Sequence, residues 1–156
     1  MKQVKDDIDR RILAAVQEDA RLTAAQLGEQ VGLSPTAALK RLKKLRADGT
    51  IKRDVALVSA DALGQSVQMI VAVSLARESS QIVDRFKRAI REEPRILDGF
   101  FVTGEMDFLL LITAKNMADY EEFTRDFFYN QHGIETVKTS VILSEVKRLG
   151  PIPIDL

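Results

Sequence analysis

Seven cations fall within fourteen residues of this chain: Lys40, Arg41, Lys43, Lys44, Arg46, Lys52 and Arg53, opposed only by Asp48. Cations at that density neutralise a polyanion, and a phosphate backbone is the partner that fits them. A solvated helix face is the commoner fate of a charge run taken alone, so the surrounding elements have to decide. A second group, Thr103-Gly104-Glu105-Met106-Asp107, joins two carboxylates to a glycine turn. Three chemistries suit it. Glu105 and Asp107 could do acid–base work; they could hydrogen-bond local backbone, as turn carboxylates commonly do; or a carboxylate with free backbone groups could hold a ligand's ammonium and carboxylate.

Other chemistries are excluded by composition. With no Cys and one His among 156 residues, the chain has no disulfide, thiolate zinc site, cysteine nucleophile or paired-histidine metal site. The lone histidine, His132, precedes Gly133 and reads as a helix cap or surface residue. No cofactor, no metal and no enzymatic activity are therefore expected. The longest apolar run, Phe108 to Ile112, is far short of the roughly 20 residues a membrane span needs. The start lacks the apolar stretch of a signal peptide, so a cytoplasmic location is expected. Formal net charge is zero, 23 Lys and Arg against 23 Asp and Glu, but it is a cancellation. Residues 1–54 hold 12 against 8, a net +4, and residues 55–156 hold 11 against 15, a net −4.

The elements that position the cations are legible from caps and periodicity. Asp6 or Asp7 caps a first helix running to about Glu18, with Ile8, Ile12 and Ala15 on its apolar stripe. Thr23 and Gln26 have the spacing of a capping box, and Gly32 closes the short helix that follows, whose buried face is Ala24, Leu27 and Val31. Ser34-Pro35 starts a third helix that ends near Asp48-Gly49. Two helices joined by so tight a turn form a helix-turn-helix. At about 100° per residue, Ala38, Leu42 and Leu45 face one side and Thr36, Lys40, Lys43 and Lys44 the other. That face carries a single sign of charge, which favours DNA over mere solvation. Thr36 and Lys40 are the base-reading candidates, and Ser34, Arg41, Lys43 and Lys44 the phosphate contacts. Ile51 to Leu57 alternates like a short strand, a wing or extended arm from which Arg53 could reach a phosphate.

Residues 59–66 read as a linker. Beyond it, alternation predicts strands over Val67 to Arg77, Ile96 to Thr103, Phe108 to Ala114 and Glu135 to Val146, with helices after Ser80 and Asn116. The order βαββαβ is ferredoxin-like, with both helices on one face of an antiparallel sheet. The third strand is apolar on both faces, which implies burial against a second copy and so at least a homodimer.

These residues together resemble the Lrp/AsnC family of transcription regulators. The resemblance covers nearly the whole chain: Asp9-Arg10-Arg11-Ile12-Leu13, Asp19-Ala20-Arg21-Leu22-Thr23, Val31-Gly32-Leu33-Ser34, Leu42-Lys43-Lys44-Leu45, Gly49-Thr50-Ile51, Val102-Thr103-Gly104-Glu105-Met106-Asp107-Phe108-Leu109-Leu110, Lys138-Thr139-Ser140, and Leu149-Gly150-Pro151-Ile152-Pro153-Ile154. It implies an α+β protein with a winged helix-turn-helix domain (1–58), the linker, and a ferredoxin-like ligand-sensing and oligomerising domain (67–156), often assembled to an octamer. It also implies that Thr103, Gly104, Glu105, Met106 and Asp107 line an effector pocket, with Thr136, Thr139 and Ser140 of a neighbouring subunit, the effector being an amino acid. The expected function is sequence-specific binding of double-stranded DNA under control of that effector. Family recognition helices often carry Arg where this chain has Lys40, and Pro or Cys near Ala37 and Ala38, so base specificity does not transfer. The competing expectations are an architectural DNA-binding protein with a vestigial ligand site and, more distantly, a dimeric ferredoxin-like enzyme with an accessory basic domain.

Overall fold

The structure, a computed structural model, describes residues 6–76, 79–129 and 133–155. They form two compact units, one of residues up to Leu57 together with the tail from Lys147, the other of Val58–Val146.

The first unit holds α1 (Asp7–Glu18), α2 (Ala24–Val31) and α3 (Pro35–Ala47). Asp6 caps α1 by accepting from the Asp9 amide at 2.8 Å. Thr23 and Gln26 complete a reciprocal capping box on α2. Ser34 caps α3, with Pro35 in its first turn. The apolar stripes meet in one core of Ile12, Leu27, Val31, Ala38, Leu42 and Leu45. Ala24, expected in the buried face of α2, is only half-buried; Gly28 takes its place. A Cβ on Gly28 would stand 2.6 Å from the Leu33 carbonyl oxygen and 3.2 Å from the Pro35 nitrogen. Glycine is what allows the turn into α3 to fold back onto α2, with the Leu33 amide donating to the Gly28 carbonyl at 2.8 Å.

No strand forms over residues 51–57; the segment is an extended arm, pinned by Arg46, which donates to both carboxylate oxygens of Asp54 at 3.0 and 3.3 Å. The tail, which the sequence placed with the second domain, joins the helical unit through Gln17. Its side chain accepts from the Ile152 amide at 2.8 Å and donates to the Ile152 carbonyl at 3.2 Å, and Arg10 donates to the Asp155 carbonyl.

The second unit contains a short 3-10 turn (Asp61–Leu63), β1 (Val67–Leu75), α4 (Ser80–Glu92), β2 (Ile96–Phe101), β3 (Phe108–Ala114), α5 (Met117–Thr124) and β4 (Ile134–Val141). The sheet is antiparallel, in the order β2-β3-β1-β4. Met69, Val71, Val73 and Leu75 of β1 and Phe108, Leu110, Ile112 and Ala114 of β3 are buried with Phe86 of α4 and Phe123 of α5. After α5 the chain widens into a π-helical turn, Arg125–Tyr129. Its wider repeat brings Phe128 edge-on to Phe123 at 5.5 Å while Phe127 stacks on Phe123 at 5.2 Å, so both rings enter the core.

Three strands are shorter than their alternation suggests. β1 ends at Leu75, and Arg77 lies outside the described residues, as does His132. β2 ends at Phe101, where Val102 turns to donate to the Asp107 carbonyl at 2.8 Å. β4 stops at Val141, which faces Met69; the Ile142 amide makes a last bond to the Gln68 carbonyl, and the first two residues of β1 pair only with β3.

The opposite sheet face has two halves. Phe100, Leu109, Leu111 and Ile70 make one side apolar, and Ser74, Thr136, Lys138 and Ser140 make the other polar, by the pairings Phe100–Leu109, Ile70–Leu111, Ser74–Thr136, Ala72–Lys138 and Ile70–Ser140.

Candidate functional site

The outer face of α3 is the more complete of the two candidate sites. Thr36, Lys40, Lys43 and Lys44 are all exposed, opposite the buried Ala38, Leu42 and Leu45. Among the described residues none of the three lysines is in an ion pair, and no carboxylate belongs to α3 itself. Ser34 uses its hydroxyl oxygen to accept from the Ala37 amide at 3.3 Å, which leaves the hydroxyl proton for a phosphate at the helix N-terminus. Arg53 is exposed on the extended arm.

Arg41 has a different use. Its Nη1 donates to Asp6 Oδ2 at 2.6 Å and to Asp9 Oδ1 at 2.9 Å, tying α3 to the first turn of α1. The hydrogen bond from Arg41 is the main reason the Asp6 carboxyl lies below its ordinary range, and Asp6 and Asp9 together raise the guanidinium. Arg41, expected at a phosphate, thus has carboxylate partners within the fold, over thirty positions away in the chain. Leu39, which the periodicity argument passed over, sits one turn beyond Thr36, beside Lys40 and Lys43, with 36% of its surface exposed.

In the second unit, residues 102–107 form the turn between β2 and β3. Gly104 has φ +125°, and Thr103, Gly104 and Glu105 are exposed. The Glu105 side chain makes no hydrogen bond or ion pair among the described residues. Asp107 is committed instead: its Oδ2 accepts from the Leu75 amide at 2.7 Å, and its own amide donates to Val73 at 2.9 Å. Asp107 therefore fixes the turn against the end of β1, and Glu105 is the carboxylate free to meet a ligand. Met106 is half-buried.

The β4 candidates separate. Ser74 donates to the Glu105 carbonyl at 3.3 Å and pairs with Thr136 across the sheet, so Thr136 lies beside the turn. Ser140 is on the same face, four residues or about 13 Å further along the strand. Thr139 points the other way, pairing with buried Val71, and its hydroxyl meets the Tyr120 hydroxyl at 2.6 Å. It is not brought to the Thr103–Asp107 turn within one chain. The parity of Val137, Thr139 and Val141 was the signal for this.

Elsewhere, an open depression of about 450 Å³ runs along α4, lined by Gln81, Ile82, Asp84, Arg85 and Arg88; none of these belongs to either candidate site. Among the described residues no three His, Cys, Asp or Glu side chains converge as metal ligands, and no helix is long and apolar enough to cross a membrane.

Residues 5–52 match the profile of a winged helix-turn-helix DNA-binding domain, and residues 68–152 that of the Lrp/AsnC ligand binding domain. An HTH-type transcriptional regulator of Sinorhizobium fredii is 50% identical over 97% of this chain and 89% of its own length. The DNA-binding transcriptional activator DecR of Escherichia coli is 31% identical over 96% of this chain and 99% of its own. A transcriptional regulator of Neisseria meningitidis, solved as a complex with L-Met, superposes with a TM-score of 0.89 at 33% identity, covering 96% of this chain and 97% of that one.

Proposed function

The chain belongs to the Lrp/AsnC family of transcriptional regulators, with a DNA-binding and a ligand-binding domain, and we propose that α3 reads double-stranded DNA sequence-specifically under control of an amino acid bound at the Thr103–Asp107 turn. The observation that carries the DNA half is the face of α3: three exposed lysines without acidic partners, presented by a turn that Gly28 holds tight. Lys43 and Lys44 serve phosphates with Ser34 and Arg53, while Thr36 and Lys40 stand nearest the bases.

For the effector, support comes from Glu105, a free carboxylate suited to an ammonium group, and from the L-Met held by the Neisseria relative. Thr136 borders the turn, and Ser140 would come from a neighbouring subunit. The apolar half of the open sheet face, with Phe100 58% exposed, favours a homodimer that covers it, the first step towards an octamer.

Binding to the chain's own upstream DNA, measured against salt, tests the reading. Replacing Lys40, Lys43 and Lys44 with Ala should flatten the slope of log K against log salt by about 0.9 for each lost phosphate contact. An unchanged slope removes α3 from the interface, and equal affinity for random DNA selects the architectural alternative. A thermal-shift screen of the amino acids tests the effector: a ligand at 100 times its Kd adds about 2.7 kcal/mol. Glu105→Gln should abolish that shift.

A further inference from the structure

The face of α3 poses a chemical problem that its lysines do not solve. Long ammonium side chains hold phosphates as point charges and give affinity more than discrimination. Leu39 lies on the flank of this same face, about 60° round the helix from Thr36 and 40° from Lys43, in the first half of the helix. It is 36% exposed, whereas its helical neighbours Ala38 and Leu42 are 0% and 6% exposed and fill the core. Leu39 is therefore an apolar side chain on a surface otherwise made of a hydroxyl and ammonium groups. Set against phosphate or a polar base edge, it would lose water and gain nothing. The apolar group that the major groove offers is the C5-methyl of thymine.

We propose that Leu39 is a specificity-determining residue, packing on a thymine methyl in the major groove while Lys43 and Lys44 hold the flanking phosphates. This rests on α3 being the DNA-reading helix. Thr36, whose methyl and hydroxyl lie one turn earlier, borders the same base step, so the N-terminal half of α3 adds an apolar edge to the base contacts of Thr36 and Lys40 and leaves the phosphates to Lys43 and Lys44.

The test begins with duplexes selected by the full-length protein from a random pool. Each thymine of the selected duplex is then replaced in turn by deoxyuridine, which removes only the methyl. At one position, wild type should lose about four-fold in affinity, the effect of one buried methyl group. Leu39→Ala should bind the thymine duplex correspondingly more weakly and be indifferent to deoxyuridine there; Ala keeps the helix, since it has the highest helical propensity. Leu39→Met, which preserves apolar reach, should keep the methyl sensitivity. If no thymine methyl matters to wild type, or if Leu39→Ala remains as sensitive as wild type, the assignment of Leu39 is overturned while α3 stands as the reading helix. If wild type selects no sequence at all, the sequence-specific function falls, and Leu39 with it.

Discussion

The face of α3 and the turn between β2 and β3 hold their candidate groups in opposite ways. On α3, every exposed group comes from one helix fixed by its cap and by a turn a few residues long, so helical spacing alone brings the groups together. Around Glu105, the neighbours come from β1 and β4, and sheet register decides which of them meet: Ser74 and Thr136 do, and Thr139 does not. A substitution on α3 should therefore remove one contact, whereas a substitution near the turn can disturb the alignment of several strands. The contrast has one exception within the helical unit, Gly28, where a single added carbon would meet the backbone of the turn that leads into α3.

That exception should give the largest effect. Gly28→Ala forces a Cβ against backbone that cannot rotate away, and overpacking of this kind costs about 1–3 kcal/mol. Thermal unfolding should show the loss, and DNA affinity should fall further than stability does because α3 is displaced. Wild-type affinity in a folded Gly28→Ala protein would show that the turn is not what positions α3.

The corresponding probe of the sheet unit is Tyr120. Tyr120→Phe removes the hydroxyl that meets Thr139 at 2.6 Å, at an expected cost of about 1 kcal/mol. Amino-acid binding should be untouched, while Thr136→Val should weaken it. Loss of the ligand response in Tyr120→Phe would place Thr139 with the effector after all and would blur the contrast between the two sheet faces.

Smaller still is the effect that separates Arg41 from its basic neighbours. Arg41→Ala should lower the unfolding temperature and leave the salt slope of DNA binding unchanged, since its guanidinium serves Asp6 and Asp9. Lys43→Ala should do the reverse. A slope that falls equally in both would return Arg41 to the phosphates.

These differences also explain what the amino-acid sequence made legible. Caps and stops of the three helices are local signals, and Asp6, Thr23, Gln26, Gly32 and Ser34 all take the places their spacing indicates. The partners of Arg41 could not be read from α3 alone, because they lie at the start of α1 and only tertiary packing brings them near. The clasp of Gln17 on Ile152 has no local signature either, joining residues 135 positions apart. Alternation located all four strands but overran three of them, because a strand ends where its pairing with a neighbour ends, and that pairing is not a local property. Asp107 and Glu105 look alike in sequence; the turn's closure against Leu75 gives them different roles.

Acid should reveal the two units separately, since each holds a carboxylate stabilised by an arginine. In the helical unit, Asp6 is held below its ordinary range chiefly by the hydrogen bond from Arg41. In the sheet unit, burial pushes Glu93 up, but Arg95, donating from Nε at 2.8 Å, more than offsets this and leaves it lowered. A carboxyl whose folded pKa is depressed contributes its stability above the unfolded pKa and loses it as pH falls through the folded one, here below about pH 4. Both tyrosines, Tyr120 and Tyr129, lie in the sheet unit and the chain has no Trp, so tyrosine fluorescence follows that unit while far-ultraviolet circular dichroism follows both. Asp6→Asn should reduce the acid lability seen by circular dichroism and leave the fluorescence transition where it was. A shift of both transitions together would mean that the units unfold as one body, and that the separation between a locally built helix face and a register-built turn does not extend to their stability.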